Sequence, residues 1–257
     1  MGELLINQKF NVHNKDNEMN IINPYRYAGL TPLQESIISY WNFDDNVNDQ
    51  VGSNDGTATS VTYDTTYTPI VKGAFFNSAK VEISDDDSLS FGDSITDSAF
   101  SISFVLSLNS TNTQAFFCKR DTSTGDIEYQ SFINGGDLYF ACFDLTNANY
   151  IRQKVDWDYT GAPTAGYRVI TYTYSGNGST SGIKIYEDGV LQTMVASTGG
   201  TYTAMHNTGT PFFMGENSGG VSQLLGRIDE FYVFNKELDA TEVTFVSDEW
   251  AAGRTLI

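Results

Sequence analysis

The sequence predicts an all-β protein built as an antiparallel sandwich or barrel. From residue 37 onward, short apolar runs rich in Ile, Val, Phe, Tyr and Thr recur, and Gly, Asn, Asp and Ser turns separate them. Aromatic residues make up 14% of the 257 residues and 23 residues are glycine, a composition typical of a β-rich globular chain rather than a disordered one. The length fits one large domain, because all-β sandwiches reach this size as a single unit.

The strand pattern is clearest in the segment YRVITYTY, residues 167–174. From Arg168 to Tyr174 the odd-numbered side chains are predicted on one face of a strand and the even-numbered ones on the other. Glycine-containing turns at residues 134–137 and 187–189 predict two tight hairpins, because glycine tolerates the positive φ that such turns require.

One helix is predicted, and it follows Leu238. Asp239 is placed to cap its first turn, with Glu242 three residues later. Val243, Val246 and Trp250 share one face of this helix, which indicates that it packs against the sheets.

Residues 1–36 differ in composition from the rest of the chain. They are rich in Asn, show little periodicity and contain the turn-prone pairs Asn23-Pro24 and Thr31-Pro32. Their apolar side chains exceed what a pure linker needs, which favours an extended docking arm over a disordered leader. The arm is predicted to lean on a neighbouring subunit, a larger assembly or the body of the same chain, and residues 37–257 form the domain.

The charge excludes two classes of partner. The chain has 32 acidic and 14 basic residues, a net charge of −18, and such a surface repels phosphate backbones and anionic lipids. We therefore expect no nucleic-acid binding and no membrane insertion.

The N-terminal sequence shows no secretory signal pattern, so we expect synthesis in a cytoplasm. Cys118 and Cys142 are then predicted to be reduced core thiols rather than a disulfide.

Four segments, in order, resemble the laminin-G-like members of the concanavalin A-like lectin/glucanase superfamily. They are SYWNFDD at 39–45 with its acidic loop, LSFGDSITDSAFSISFVLSL at 89–108, IKIYEDGVLQ at 183–192 and GRIDEFYVFNKEL at 226–238. The resemblance covers residues 37 to about 250 and implies a jelly-roll sandwich of two curved antiparallel sheets. Val105 departs from the pattern, since many relatives carry Trp in the central strand.

The resemblance also implies a calcium site at a sheet edge. Asp44 or Asp45 after the first strand and Asp229 in the last strand are the candidate ligands, with Ca²⁺ as the candidate cofactor. Ca²⁺ takes six to eight oxygen ligands, and these residues supply only part of that set. The alternative is that Asp229 caps a turn or pairs with Arg227 or Arg254. Residues 85–87, three consecutive aspartates, are a second candidate.

The sequence argues against catalysis. The glucanases of this superfamily use a strand with the pattern Glu-x-Asp-x-x-Glu, and this chain contains no such spacing. Asp229 and Glu230 are adjacent, so they are predicted on opposite faces of a strand and form a poor acid/base pair. Only His13 and His206 are available to a nucleophile, and neither lies in a nucleophile-elbow context. We therefore predict a protein that is not an enzyme.

Carbohydrate binding needs exposed aromatic rings that stack on sugar faces, flanked by amide or carboxylate groups. Loop-like stretches of the sequence supply candidates for this role: Tyr150, Trp157, Tyr159, Tyr202, Asn207 and Asn217. The alternative is that the Trp and Tyr side chains pack locally under long loops.

The Asn-rich leader and the high Tyr, Asn, Thr and Gly content also resemble bacteriophage virion proteins. The resulting hypothesis is a protein of the virion surface, anchored to other virion proteins or to copies of itself through residues 1–36, whose domain binds glycans on the host or its surroundings. The alternative is a capsid or tail decoration module that binds no sugar. A lectin would expose aromatic residues in the loops at one end, whereas a decoration module would bury Trp157 and Tyr159 or bind neighbouring subunits with them.

Overall fold

A computed structural model of the chain describes residues 30–66, 70–157, 159 and 166–257. Most of the predicted docking arm, residues 1–29, lies outside the described residues. The last part of that arm is helical rather than extended, because α1 (Leu30–Glu35) precedes the first strand. Leu33 in this helix is 2% exposed and packs against the domain.

Two eight-stranded antiparallel sheets form the body of the described chain, which confirms the predicted fold class. Sheet A contains β1 (Ile37–Trp41), β3 (Thr62–Asp64), β4 (Gly73–Asn77), β6 (Phe100–Leu108), β11 (Arg168–Tyr174), β12 (Ile183–Glu187), β13 (Val190–Leu191) and β16 (Leu225–Phe234). Sheet B contains β2 (Gly56–Thr59), β5 (Lys80–Ile83), β7 (Gln114–Arg120), β8 (Ile127–Asn134), β9 (Asp137–Phe143), β10 (Tyr150–Asp156), β14 (Val195–Gly199) and β15 (Phe212–Met214).

The strand order explains how the chain closes the sandwich. Sheet A runs β13-β12-β11-β6-β16-β4-β3, with β1 also paired to β16, and sheet B runs β14-β10-β9-β8-β7-β15-β5-β2. Strands distant in sequence are therefore neighbours, such as β6 and β16 at the centre of sheet A. In sheet B, by contrast, β7, β8, β9 and β10 form a continuous meander.

The core between the sheets is built mainly from aromatic rings. Phe104 stacks on Phe231 with centroids 5.2 Å apart, and Phe117 meets both rings edge-on. Such edge-to-face contacts add to the burial of the rings themselves. The predicted alternation in β11 is confirmed, because Ile170 faces this core and Val169 faces the opposite side of sheet A.

The outer face of sheet A is covered by the two described helices. The helix α2 (Ala240–Ala251) buries Trp250 against Tyr232 of β16, with ring centroids 5.5 Å apart. Val105 lies in the same apolar cluster and is 1% exposed. An aromatic binding platform at that position of sheet A is therefore excluded, because the helix already covers it.

Both cysteines are buried free thiols, as the sequence predicts. Cys118 lies opposite Gln130 on β8, and Cys142 lies opposite Tyr129 on the same strand. Neighbouring residues of a strand point to opposite faces, so the two thiols lie on different faces of sheet B and do not face each other. Burial raises the pKa of the Cys118 thiol to about 12, which keeps it in the unreactive thiol form.

The cap of α2 is a direct test of the packing on sheet A. Asp239 accepts hydrogen bonds from the backbone N–H groups of Thr241 and Glu242, and the Glu242 side chain accepts from the Asp239 N–H. We expect Asp239→Ala to lower the free energy of unfolding by about 1 kcal/mol, as measured by urea denaturation. Asp248→Ala, an exposed acid in the same helix, is the control. An equal loss in both variants would contradict the capping role.

Candidate ligand-binding face

The outer face of sheet B is not covered by either described helix, and we call it the open face. Along β10 the side chains alternate between half-exposed and buried, so Tyr150, Arg152 and Lys154 point outward. Tyr139 on β9 lies directly opposite Lys154, and Phe132 on β8 lies directly opposite Tyr139. The register of three strands therefore gathers these outward side chains onto one surface.

Aromatic rings give the open face its chemistry. The rings of Phe132 and Tyr139 stack, with centroids 4.6 Å apart and an angle of 6° between their planes. Arg152 lies over the rings of Tyr139 and Tyr150, at 5.1 and 4.8 Å from the two centroids. Its Nε donates to the Ser197 hydroxyl on β14 at 2.8 Å. The guanidinium is thus fixed between two tyrosines and holds both rings in place.

The middle of the open face is a small side chain that larger neighbours cover. Ala141 on β9 is opposite Arg152 on one side and Gln130 on the other, and it is 0% exposed. Along β9, Tyr139 and Phe143 share the face of Ala141 at two residues' distance, about 7 Å. The middle of this face is therefore apolar, with aromatic rings along β9 and polar side chains on the two neighbouring strands.

Among the predicted sugar-binding residues, Tyr150 alone lies on the open face. Trp157 is 4% exposed and packs in the core, where its ring contacts Phe116 and Tyr159. The prediction that Trp157 stacks on a sugar is therefore wrong. The physical reason is that the inward alternation of β10, through Ile151 and Val155, continues to Trp157.

The other two predicted tyrosines are committed to local hydrogen bonds. The Tyr159 hydroxyl accepts from the backbone N–H of Leu108 at 3.0 Å, and its ring packs against the core. The Tyr202 hydroxyl donates to Asp97 at 2.6 Å, and its ring also packs against the core. Both side chains hold loops on the sandwich and neither contributes to the open face.

The two predicted amides make local contacts in two different loops. Asn207 is exposed and donates from Nδ2 to Asp87 at 2.9 Å. Asn217 forms an isolated antiparallel bridge with Val221, and its Oδ1 is buried without a hydrogen-bond partner. The six predicted residues therefore do not assemble into one site.

The predicted calcium ligands are engaged by groups of the protein itself. Asp45 forms an ion pair with Lys72, and Asp44 accepts from the backbone N–H of Lys72 and the amide of Asn42. Asp229 is 1% exposed, and its pKa is raised, first by burial and then by the neighbouring Glu230 carboxylate. The described residues contain no group of three or more His, Cys, Asp or Glu side chains placed to hold a metal. This donor set does not fit calcium.

The aspartates at 85–87, the second candidate metal site, each make a different contact within the protein. Asp85 pairs with the fully buried amino group of Lys119, Asp86 caps a short turn at Ser88, and Asp87 accepts from Asn207. Lys119 also lies 3.3 Å from the buried carboxylate of Glu128, whose pKa is raised by burial. These groups tie the end of β7 to two loops.

The prediction that Asp229 and Glu230 point to opposite faces is wrong. The pairing of β16 with β6 shifts register between Asp229 and Tyr232, and Glu230 has a φ of 49°. This bulge places one extra residue on β16. Asp229 lies opposite Val105, and Glu230 accepts a 2.6 Å hydrogen bond from the Tyr40 hydroxyl. Both carboxyl groups therefore lie under α2, on the side of the molecule away from the open face.

Comparison with known proteins shows the family of the sequence and solved structures of similar fold. A family model described as the concanavalin A-like lectin/glucanases superfamily, of laminin-G type, matches residues 77–244. No curated protein sequence matches the chain. Part of this chain is similar to many solved structures, and each likeness described below shows a shared fold at low sequence identity.

Three solved structures illustrate the likeness. The binding domain of Paraclostridial Mosquitocidal Protein 1 has a TM-score of 0.63 and 16% identity, covering 85% of this chain and 53% of that chain. Domain 4 of an extracellular arabinanase from Geobacillus stearothermophilus, in complex with arabinotriose, has a TM-score of 0.62 and 18% identity, covering 82% of this chain and 98% of that chain. The ligand binding domain of botulinum neurotoxin serotype D, in complex with N-acetylneuraminic acid, has a TM-score of 0.62 and 15% identity, covering 88% of this chain and 56% of that chain. The chain spans about half the length of the two toxin domains.

The buried acid at the bulge predicts a pH-dependent stability. Burial, and to a lesser degree Asp44, raise the pKa of Glu230 from 4.5 to about 7. The folded state then binds more protons than the unfolded state between these values, so stability falls as pH rises from about 4.5 to 7, by up to about 3 kcal/mol. Urea unfolding at several pH values should show this loss, and Glu230→Gln should remove the part that Glu230 contributes, leaving the part caused by the buried Asp229.

The exposed Asp156→Asn serves as the matched control for that experiment, because it also exchanges one acid for its amide. It should keep the pH profile of the unmodified protein. A profile that Glu230→Gln leaves unchanged would show that another group causes the loss.

Proposed function

The chain belongs to the laminin-G-like family of the concanavalin A-like lectin/glucanases superfamily, and from this premise we propose that it is a non-catalytic glycan-binding protein whose ligand lies on the open face of sheet B. One observation carries the proposal. Tyr139 and Tyr150 are held half-exposed by Arg152 on a sheet face that the described helices leave uncovered.

The chemistry of the open face suits a saccharide. A sugar ring has apolar C–H faces, which stack on aromatic rings, and hydroxyl edges, which need hydrogen-bond partners. Tyr139 and Tyr150 supply the rings, while Gln130 and the Arg152 guanidinium supply polar groups beside them. Structural neighbours solved with arabinotriose and with N-acetylneuraminic acid support a sugar as the class of ligand.

A structural decoration module without a sugar ligand is the second candidate. One observation favours it, because Trp157 is buried and Tyr159 packs against the core, as that hypothesis requires. The two candidates differ in what the open face does. A decoration module predicts no specific binding on a broad glycan array, whereas a lectin predicts binding that depends on the rings of the open face.

The ring-dependence of binding tests the proposed function. In the double variant Tyr139→Ala and Tyr150→Ala, we expect affinity for glycans identified on an array to fall about tenfold or more, because stacking and buried area are lost together. Phe75→Ala is the matched control, since Phe75 is a half-buried ring beneath Arg227 on sheet A. It should bind as the unmodified protein does, as measured by isothermal titration calorimetry.

Two outcomes would count against this function. Binding that survives the loss of both tyrosines would place the ligand elsewhere on the molecule. A complete lack of binding on the array, with circular dichroism showing a folded protein, would favour the decoration module.

The proposal includes attachment to a virion surface through the N-terminal arm. The Asn-rich composition of residues 1–36 and their apolar side chains, such as Leu5 and Phe10, support it. The structure refines the test, because Leu33 of α1 is buried in the domain. A truncation should therefore remove residues 1–29 and retain α1.

We expect the chain of residues 30–257 to stay folded and to bind glycans, but to lose association with copies of itself or with other virion proteins. Analytical ultracentrifugation of the two chains measures self-association, and pull-down with structural proteins of a virion measures the other partner. Equal association of the two chains would remove the arm from the proposal.

A further inference from the structure

Two arginines on the open face lack an acidic partner. Every other lysine and arginine in the described part of the chain forms an ion pair: Lys72, Lys80, Lys119, Lys154, Arg168, Lys184, Arg227, Lys236 and Arg254. No described carboxylate lies within ion-pair distance of Arg120 or Arg152. In a chain with 32 acidic and 14 basic residues, carboxylates are abundant, so two cations without one are notable.

The hydrogen bonds of these two arginines leave donors unused. Arg152 donates from Nε to the Ser197 hydroxyl, and its flat face covers two tyrosine rings. Arg120 makes a 3.4 Å contact from Nη1 to the Gln130 side-chain oxygen, and its Nε is buried without a partner. A guanidinium has five N–H donors, so most of the donors on both side chains face no protein acceptor.

The two arginines lie on neighbouring rows of sheet B. Arg152 on β10 is opposite Ala141 on β9, which is opposite Gln130 on β8. The β7 residue opposite Gln130 is Cys118, and Arg120 is two residues further along β7. The Arg120 side chain still reaches the Gln130 side chain. In the strand order the two arginines therefore lie on opposite sides of Gln130.

The carboxylates on the neighbouring strands do not neutralise these arginines. The nearest acid on β9 is Asp137, and it pairs with Lys154 at 2.6 Å and accepts from the Tyr139 hydroxyl. On β7, the carboxylate contacts belong to Lys119, which projects to the other side of the strand. Both arginines are therefore available to an anion, and hydrogen bonds to an ionised group are stronger than those between neutral groups.

We propose that the glycan bound by the open face is acidic, and that Arg120 and Arg152 bind its carboxylate or sulfate group while a sugar ring stacks on Tyr139 or Tyr150. This inference rests on the proposed function and specifies its substrate class. The planar fork of a guanidinium matches both anions through paired N–H donors. Contact of this kind is needed because the net charge of −18 repels anions at longer range.

The experiment compares acidic glycans with neutral counterparts of the same backbone. The probes are an oligogalacturonide and its methyl ester, a sialylated and a desialylated lactosamine, and a sulfated and an unsulfated galactan oligosaccharide. We expect the unmodified protein to bind the acid of at least one pair about tenfold or more tightly than its neutral form, because hydrogen bonds to a charged group are the strong ones. A tenfold ratio for the oligogalacturonide or the sialylated lactosamine indicates a carboxylate ligand, and a tenfold ratio for the galactan indicates a sulfate ligand.

Single variants then test the two arginines. Arg120→Gln and Arg152→Gln should each reduce the acid-to-neutral ratio for that pair. Arg120→Gln should leave the affinity for the neutral form unchanged within about twofold, whereas Arg152→Gln should also weaken it, because Arg152 holds the rings of Tyr139 and Tyr150. Arg254→Gln is the control, because it removes one positive charge from an exposed residue outside the open face. It should keep the ratio, and far-ultraviolet circular dichroism should report the same fold for all variants.

The contradicting results separate this inference from the proposed function. Equal binding of acidic and neutral forms, lost in the tyrosine variant, would overturn the acidic ligand and leave a glycan-binding open face. A ratio that survives in both arginine variants would also overturn it. If no glycan of either kind is bound, both the inference and the proposed function are wrong.

Discussion

The packing of α2 on sheet A determines which surface of the sandwich remains available to a ligand. Tyr40 and Tyr232 stack with centroids 4.0 Å apart, and Trp250 of the helix packs on Tyr232. These rings bury an apolar outer face that an isolated sandwich would leave in water, and burial of such area is the main favourable contribution to folding. Because both described α-helices pack on sheet A, neither of them covers the outer face of sheet B, where Tyr139 and Tyr150 stay half-exposed.

The same packing explains the unusual position of two acids. The bulge in β16 turns both Asp229 and Glu230 toward the helix, where burial favours their protonated forms. The Tyr40 hydroxyl compensates part of this cost through its hydrogen bond to Glu230. A left-handed backbone at a residue other than glycine is uncommon, and it is maintained here because β1 and β6 pair with β16 on both sides.

Much of the fold was predictable because its signals are local. The turn at 135–136 and the cap at Asp239 depend on neighbouring residues, and both occur where the sequence places them. The burial of Trp157 also follows from the sequence, because alternate residues of a strand share a face and Trp157 continues the inward-facing series of Ile151 and Val155. The loop-like composition around Trp157 hid this alternation, so the residue was assigned to a surface site. The bulge at Glu230, in contrast, has no local signal, because it depends on how β16 meets a strand far away in sequence.

The open face shows why the candidate site was less predictable than the fold. The alternation of side chains along β10 is sufficient to place Tyr150 and Arg152 on one face of the sheet, but the residues that they contact come from other strands. Tyr139 joins them only through the β9–β10 register, and Arg120 only through Gln130. Half-exposed rings on an uncovered sheet face form an apolar patch, and the guanidinium of Arg152 covers two of them. The arginine that covers these rings is therefore also the group that the proposal places against a charged ligand.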